Sequence, residues 1–127
     1  MLSMTNEKEV VEKRIAGITK AEFEQLQTKH GDRLEILSLG PDDTDVIVRP
    51  PRRAEYDRYV LELAKGKARP DVALAAGTKL VKACLVVPTE KVFDDLLEKY
   101  PAMGDQYSEE VLKLIAADAE VQRKSFR

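Results

Sequence analysis

The chain has 127 residues, of which 43% are hydrophobic and 35% are charged, and its formal net charge is −2. This length predicts one domain with an appreciable core, and the near-neutral charge makes no general case for nucleic acid or an anionic membrane as a partner. The single cysteine, Cys84, excludes an internal disulfide, and no apolar run approaches the roughly 20 residues that span a bilayer. We therefore expect a cytoplasmic protein that does not enter the membrane.

The first part of the chain predicts a weak helix followed by a stronger one. Asn6 and Glu9 have capping-box spacing, so we expect a helix over residues 6–16. We expect residues 1–17 to be a marginal N-terminal helix or arm, and residues 18–127 to form a single α+β domain. Thr19 and Glu22 form a second capping box, and the helix that they begin is predicted to end before Gly31.

A β-hairpin is predicted next. Residues 34–39 and 44–49 are two short strands on either side of a Gly-Pro-Asp-Asp turn, whose residue types all favour turns. Two strands alone are marginal, so the hairpin must pack on helices or pair with another strand. Its edge is one place where a partner chain can add a strand.

The remainder of the chain predicts about four helices. The first follows Pro51, and the second opens at Pro70 and continues to Pro88. Since the second is apolar on most sides, we expect it to be the central helix. A third helix is predicted between Thr89 and Pro101, and the last is predicted to begin at Ser108. The predicted fold is thus mostly helical α+β, with an N-terminal helix, one β-hairpin and a bundle of about four helices.

The best functional candidate is the corner where the hairpin meets the helices. Pro50 and Pro51 make this corner rigid, and arginines flank them on both sides. A guanidinium group offers a fixed fork of donors to a phosphate or a carboxylate. The alternative is that these arginines pair with acidic residues of their own helix. The predicted partner-binding residues are Arg49, Arg52, Arg53, Tyr56 and Tyr59.

Catalytic, metal and cofactor sites are not predicted. His30 lies where a helix ends, and Cys84 lies among apolar residues at helical spacing. Asp42, Asp43 and Asp45 do not follow the calcium-loop pattern, so a solvated turn is the favoured interpretation. We therefore expect a protein that is not an enzyme and that needs no cofactor.

Four segments together resemble a known protein family. They are I-T-x-x-E-F-x-x-L-x-x-K-H-G over Ile18 to Gly31, R-x-E-Y-x-R-Y within Arg49 to Tyr59, L-V-x-x-C-L-V-x-P over Leu80 to Pro88, and L-x-x-x-Y-P over Leu96 to Pro101. Their order and spacing resemble the small tail assembly chaperones of long-tailed bacteriophages and prophages. The resemblance covers roughly residues 18–120.

This resemblance implies a non-enzymatic role in building a phage tail inside the bacterial host cell. Members of the family bind the long, helical tape measure protein and leave before the virion is mature. The tape measure protein is therefore the expected partner, the tail tube protein is a second candidate, and self-association is a third possibility. A client of this kind requires an exposed apolar surface, which the alanine- and leucine-rich faces of residues 71–87 and 108–121 are able to supply, unless these faces close on each other as core.

Two other functions remain open from the sequence. One is a structural virion component, such as a head–tail connector or a minor tail protein. The other is a small nucleic-acid-binding regulator that uses the arginines at the corner, although the broad basic face that such a role requires is not evident.

Overall fold

The computed structural model describes residues 13–31, 33–116 and 123–126. Over these residues the chain has five α-helices and one three-stranded antiparallel sheet, which confirms the mostly helical α+β class. The elements are α1 (Lys20–His30), β1 (Glu35–Leu37), a 3-10 turn (Asp42–Thr44), β2 (Val46–Val48), α2 (Arg53–Ala64), α3 (Pro70–Cys84), β3 (Leu85–Val87), α4 (Glu90–Lys99) and α5 (Met103–Lys113).

These elements fall into two compact units. The first unit contains α1, the three strands and α4, and the second contains α2, α3 and α5. Four helices therefore follow the hairpin, as predicted, but only three of them belong to one unit. The helix α4 belongs with the sheet instead.

The segment before α1 is a tight turn. Ile15 and Ile18 exchange two backbone hydrogen bonds, of 3.0 and 3.1 Å, around Ala16 and Gly17. Both intervening residues have positive φ, 56° and 82°, which is the geometry of a two-residue hairpin turn. The helix predicted over residues 6–16 is thus wrong for residues 13–16, and its earlier part lies outside the described residues.

The ends of α1 follow the sequence prediction. The Thr19 hydroxyl accepts a hydrogen bond from the Glu22 N–H at 3.3 Å, and the Glu22 carboxylate accepts one from the Thr19 N–H at 2.9 Å. At the other end, Gly31 adopts φ 101° and donates its N–H to the Gln27 carbonyl at 2.8 Å. Both predicted ends of this helix are confirmed.

The sheet has one strand more than the predicted hairpin. β1 pairs with β2 in the register Ile36↔Ile47, and β2 also pairs with β3, so that β2 is central. All three residues of β2 are fully buried. Residues 85–87 were predicted to continue a helix, but α3 ends at Cys84 and the chain enters β3, where β-branched Val86 and Val87 suit a strand.

The second unit is organised around α3, which packs against both α2 and α5. The prediction that this helix is central in its bundle is confirmed. The backbones of α3 and α5 approach closely at two glycines. A β-carbon on Gly77 would lie 2.9 Å from Ser108 Oγ, and one on Gly104 would overlap Thr78 Oγ1 and lie 3.1 Å from Thr78 Cβ.

The last helix begins five residues earlier than predicted. Ser108 was expected as its N-terminal cap, but the helix starts at Met103, and Ser108 is buried within it, donating its hydroxyl to the Asp105 carbonyl at 2.8 Å. Gly104 is thus a helical residue, and its lack of a side chain allows the contact with α3.

The capping box of α1 generates a pH-dependent prediction. The hydrogen bond from the Thr19 N–H holds the pKa of Glu22 below its usual value. A lowered pKa in the folded state stabilises the fold above the usual pKa, and this stabilisation is lost as the pH falls through the folded pKa. Replacing Glu22 by Gln keeps an oxygen acceptor and removes the charge. We expect E22Q to lose less stability than the wild type between about pH 5 and pH 3.

Urea denaturation followed by circular dichroism at several pH values measures this effect. The control is E24Q, which removes an exposed carboxylate of the same helix that is not part of the capping box. Equal acid sensitivity of E22Q and the wild type would contradict the prediction.

The close approach of α3 and α5 generates a second prediction. We expect Gly104→Ala to destabilise the protein by about 1–2 kcal/mol, because the clash with Thr78 outweighs the gain in helix propensity. In a T78A background the clash with Oγ1 is removed, so the loss should shrink. The free energies of unfolding of the four proteins in this double-mutant cycle test the prediction, and a G104A variant as stable as the wild type would refute it.

Candidate partner-binding site

The helix α2 exposes its apolar side chains and buries a carboxylate. Glu62 is its one buried residue, with 9% of its surface exposed. In contrast, Val60, Leu61 and Leu63 are 43%, 64% and 44% exposed. Burying a charge and exposing apolar side chains each cost free energy in an isolated domain. The two features together therefore point to an interaction surface.

Four residues form a continuous apolar face along α2. Tyr56, Tyr59, Val60 and Leu63 follow the i, i+3, i+4, i+7 spacing of one helix face, and we refer to them as the α2 stripe. Tyr59 is half-buried, and the other three are exposed. The stripe therefore presents the pattern with which a helix usually faces a core, but its side chains are only partly covered.

A groove of about 640 Å³ adjoins the start of this stripe, entirely within the second unit. One wall comes from the start of α2 and the residues before it, and the other from the end of α5 and the turn after it. The lining residues are Pro51, Arg53, Tyr56, Tyr59, Leu112, Ile115 and Ala116.

The buried carboxylate of Glu62 fixes which face of α2 turns towards α3. The Nζ atom of Lys79, on α3, lies 3.7 Å from Glu62 Oε2, and this oxygen has no hydrogen-bond partner among the described residues. The Glu62 side chain is 12% exposed and the Lys79 side chain is 60% exposed, so only one partner of this ion pair is desolvated. Since Glu62 faces α3, the α2 stripe is left on the surface.

The predicted arginines occupy different positions. The side chain of Arg53 lines the groove, is 94% exposed, and lies 3.8 Å from the Asp57 carboxylate one helical turn away. Arg52 is exposed, and its backbone N–H donates to the Glu55 carboxylate at 2.8 Å. Arg49 is half-buried and belongs to the first unit.

Three of the five predicted partner-binding residues therefore line one groove, namely Arg53, Tyr56 and Tyr59. Their role in binding stays a prediction. Leu112, Ile115 and Ala116 complete the groove and were not singled out in the sequence, although the spacing of Leu112 and Ile115 is that of one helix face. Residues 108–121 were expected to offer apolar surface. Within the described part of this range, Ile115 and Ala116, just after α5, are exposed.

The apolar face of α3 is mostly core. Ala76, Leu80 and Val81 are buried, whereas Leu74 is 78% exposed. The expectation that residues 71–87 supply a broad docking surface is therefore not met by these side chains, and α2 offers the larger apolar surface in this unit.

The residues that the sequence analysis considered as candidates for chemistry lie in a core, at a helix end and in a turn. Cys84 is fully buried, and His30 is exposed in the last turn of α1. The Asp43 carboxylate accepts hydrogen bonds from Lys99 Nζ at 3.1 Å and from the Tyr100 hydroxyl at 3.4 Å, which joins the 3-10 turn to the end of α4 within the first unit. The hydrogen bond from Lys99 to the Asp43 carboxylate raises the pKa of Lys99.

The described residues contain neither a cluster of metal-binding side chains nor a helix that could span a membrane. Among residues 13–31, 33–116 and 123–126, no group of three or more His, Cys, Asp or Glu is placed to hold a metal ion. In the same part of the chain, no helix has both the length and the apolar character needed to cross a membrane.

The fold and the groove define a mostly helical α+β protein with an open apolar surface on its second unit. The chain belongs to the DUF6848 family, a domain of unknown function, whose family model matches residues 26–124. No curated protein matches the chain. It is similar in structure to the uncharacterised protein rbstp2171 from Bacillus stearothermophilus, with a TM-score of 0.62 and 20% sequence identity over 80% of this chain and 99% of that one. At this level of identity the likeness shows a shared fold.

The exposure of the α2 stripe generates a prediction about stability. We expect Val60→Ser to change the free energy of unfolding by less than about 1 kcal/mol, because this side chain is exposed. Met103→Ala, at a fully buried position of the same unit, should cost about 2–5 kcal/mol. Urea denaturation of both variants tests the contrast, and a loss for V60S as large as that for M103A would show that the stripe is core.

Proposed function

We propose that this chain is a tail assembly chaperone of a bacteriophage or prophage, which binds the tape measure protein in the bacterial cytoplasm without enzymatic activity. The observation that carries the proposal is that α2 buries the charged Glu62 and leaves the apolar α2 stripe partly exposed. The four-segment resemblance described above supplies the identity of the partner.

The chemistry of the surface fits a helical client. The i, i+3, i+4, i+7 spacing of the α2 stripe suits an amphipathic helix, which lays its own apolar face along such a row. Two tyrosines supply large contact surfaces with few rotatable bonds, and tyrosine is enriched at protein interfaces for this reason. A long helical protein with exposed apolar faces requires such cover until it is enclosed.

The charged residues near the groove suit a reversible contact. The exposed Arg53 guanidinium offers a charged hydrogen-bond donor to an acidic residue of a client helix. A contact limited to one helix face and the adjoining groove is small, and small interfaces are typical of weak or transient complexes. A chaperone that must leave before assembly ends requires such a contact.

The test is a pull-down of the tagged chain from its native host during prophage induction, with bound proteins identified by mass spectrometry. We expect enrichment of a very long, helix-rich tape measure protein. The Leu63→Ser variant, which cuts the α2 stripe, should reduce this recovery by at least about five-fold.

The matched control is Leu61→Ser, which makes the same change two residues away on the same helix, outside the stripe. This variant should recover as much tape measure protein as the wild type. Recovery of portal, capsid or finished tails would refute the chaperone role and favour a structural virion component. Equal losses in L61S and L63S would refute the assignment of the stripe.

A further inference from the structure

A second concave site lies entirely within the first unit, apart from the groove of the second. It is a half-open cavity of about 270 Å³, lined by the tight turn before α1, the first turns of α1 and one face of the sheet. The lining residues are Lys13, Ile15, Ile18, Thr19, Lys20, Phe23, Ile36 and Ile47.

The interior of this cavity is apolar. Four isoleucines and Phe23 supply most of the wall, and the Thr19 hydroxyl is already engaged with the Glu22 N–H. Water in such a space finds few hydrogen-bond partners, and a cavity of about 150 Å³ lined by Leu, Ile and Phe in another protein stays dry and binds benzene. The larger cavity here has room for an apolar ligand bigger than benzene.

The charged lining residues are both cationic. Lys13 and Lys20 are exposed, so their long side chains are able to contribute apolar stems to the rim while the ammonium groups stay in water. The lining residues include no carboxylate. The neighbouring Glu22 carboxylate accepts the Thr19 N–H and lies 3.7 Å from the Arg14 guanidinium. An anion at the rim therefore meets favourable charge.

We propose that this cavity binds a medium-chain carboxylate, with the alkyl chain among the isoleucines and Phe23 and the carboxylate between Lys13 and Lys20. The apolar wall selects the chain, and the two ammonium groups select its charged end. This site is independent of the α2 stripe and of the proposed chaperone role.

The distribution of isoleucine makes the test direct. The chain has five isoleucines, of which four line this cavity and the fifth, Ile115, lines the groove of the second unit. In a protein labelled with carbon-13 at the isoleucine δ1 methyl groups, each signal reports its own site. Titration with sodium octanoate should shift the signals of Ile15, Ile18, Ile36 and Ile47 and leave that of Ile115 unchanged.

The role of charge is tested with paired ligands and paired variants. Octanol has the same chain without the carboxylate, so it should bind more weakly than octanoate. The double variant K13Q/K20Q should weaken octanoate by about five-fold and leave octanol unchanged. The matched control K29Q/K91Q removes two other exposed lysines of the first unit and should bind both ligands as the wild type does.

Several results would overturn this proposal. If octanoate leaves the four cavity signals in place, or shifts Ile115 equally, the cavity is not the site. If octanol binds as tightly as octanoate to the wild type, or if both double variants weaken octanoate equally, the lysines do not recognise the carboxylate. The five isoleucine signals also report whether each variant is folded.

Discussion

The close contact between α3 and α5 is the constraint on which the second unit depends. A β-carbon at Gly77 would lie 2.9 Å from Ser108 Oγ, and Gly104 faces Thr78 in the same way. At each glycine the backbone of one helix contacts a side chain of the other, so the two helices lie close together. The helix α2 also packs on α3, and there the Lys79 Nζ atom lies 3.7 Å from Glu62 Oε2. With Glu62 on this side, the α2 stripe stays partly exposed.

This arrangement connects packing to the proposed function. A helix that buried Tyr59, Val60 and Leu63 would place Glu62 nearer to solvent, and the unit would gain apolar burial without the cost of desolvating a carboxylate. The chain has the opposite arrangement. In the proposed function a partner covers this apolar surface, and the groove beside the stripe adds the end of α5 to it. The surface is thus suited to binding and contributes little to stability.

Part of the fold could be predicted from the sequence because local signals determine it. Thr19 and Glu22 determine the start of α1, and Gly31 its end, since a capping box and a C-terminal glycine act over a few residues. Leu85–Val87 was missed because its apolar residues continue the periodicity of α3, and only pairing with β2 makes it a strand. The start of the last helix was predicted too late because the reason for a glycine at position 104, the side chain of Thr78, is distant in sequence.

The candidate site was predictable to a similar extent. The spacing of Tyr56, Tyr59, Val60 and Leu63 is that of a helix with an apolar face, but the same spacing is found in a core helix. Which face is exposed depends on the buried carboxylate of Glu62, and its partner Lys79 lies on another helix. The arginines at the corner were prominent in the sequence, and of these Arg53 lines the groove. Which face of α2 is exposed, and which arginine lines the groove, therefore depends on packing between residues that are distant in sequence.

The most direct test of the docking surface is photocrosslinking inside the native host, with a benzophenone amino acid placed at Val60 in one variant and at Leu74 in another. Both positions are exposed, but only Val60 belongs to the α2 stripe. We expect ultraviolet light to join the Val60 variant to the tape measure protein and the Leu74 variant to nothing of that size. An adduct from Leu74 alone, or an adduct of the Val60 variant only with a second copy of the chain, would contradict the assignment of α2 as the surface that binds the client.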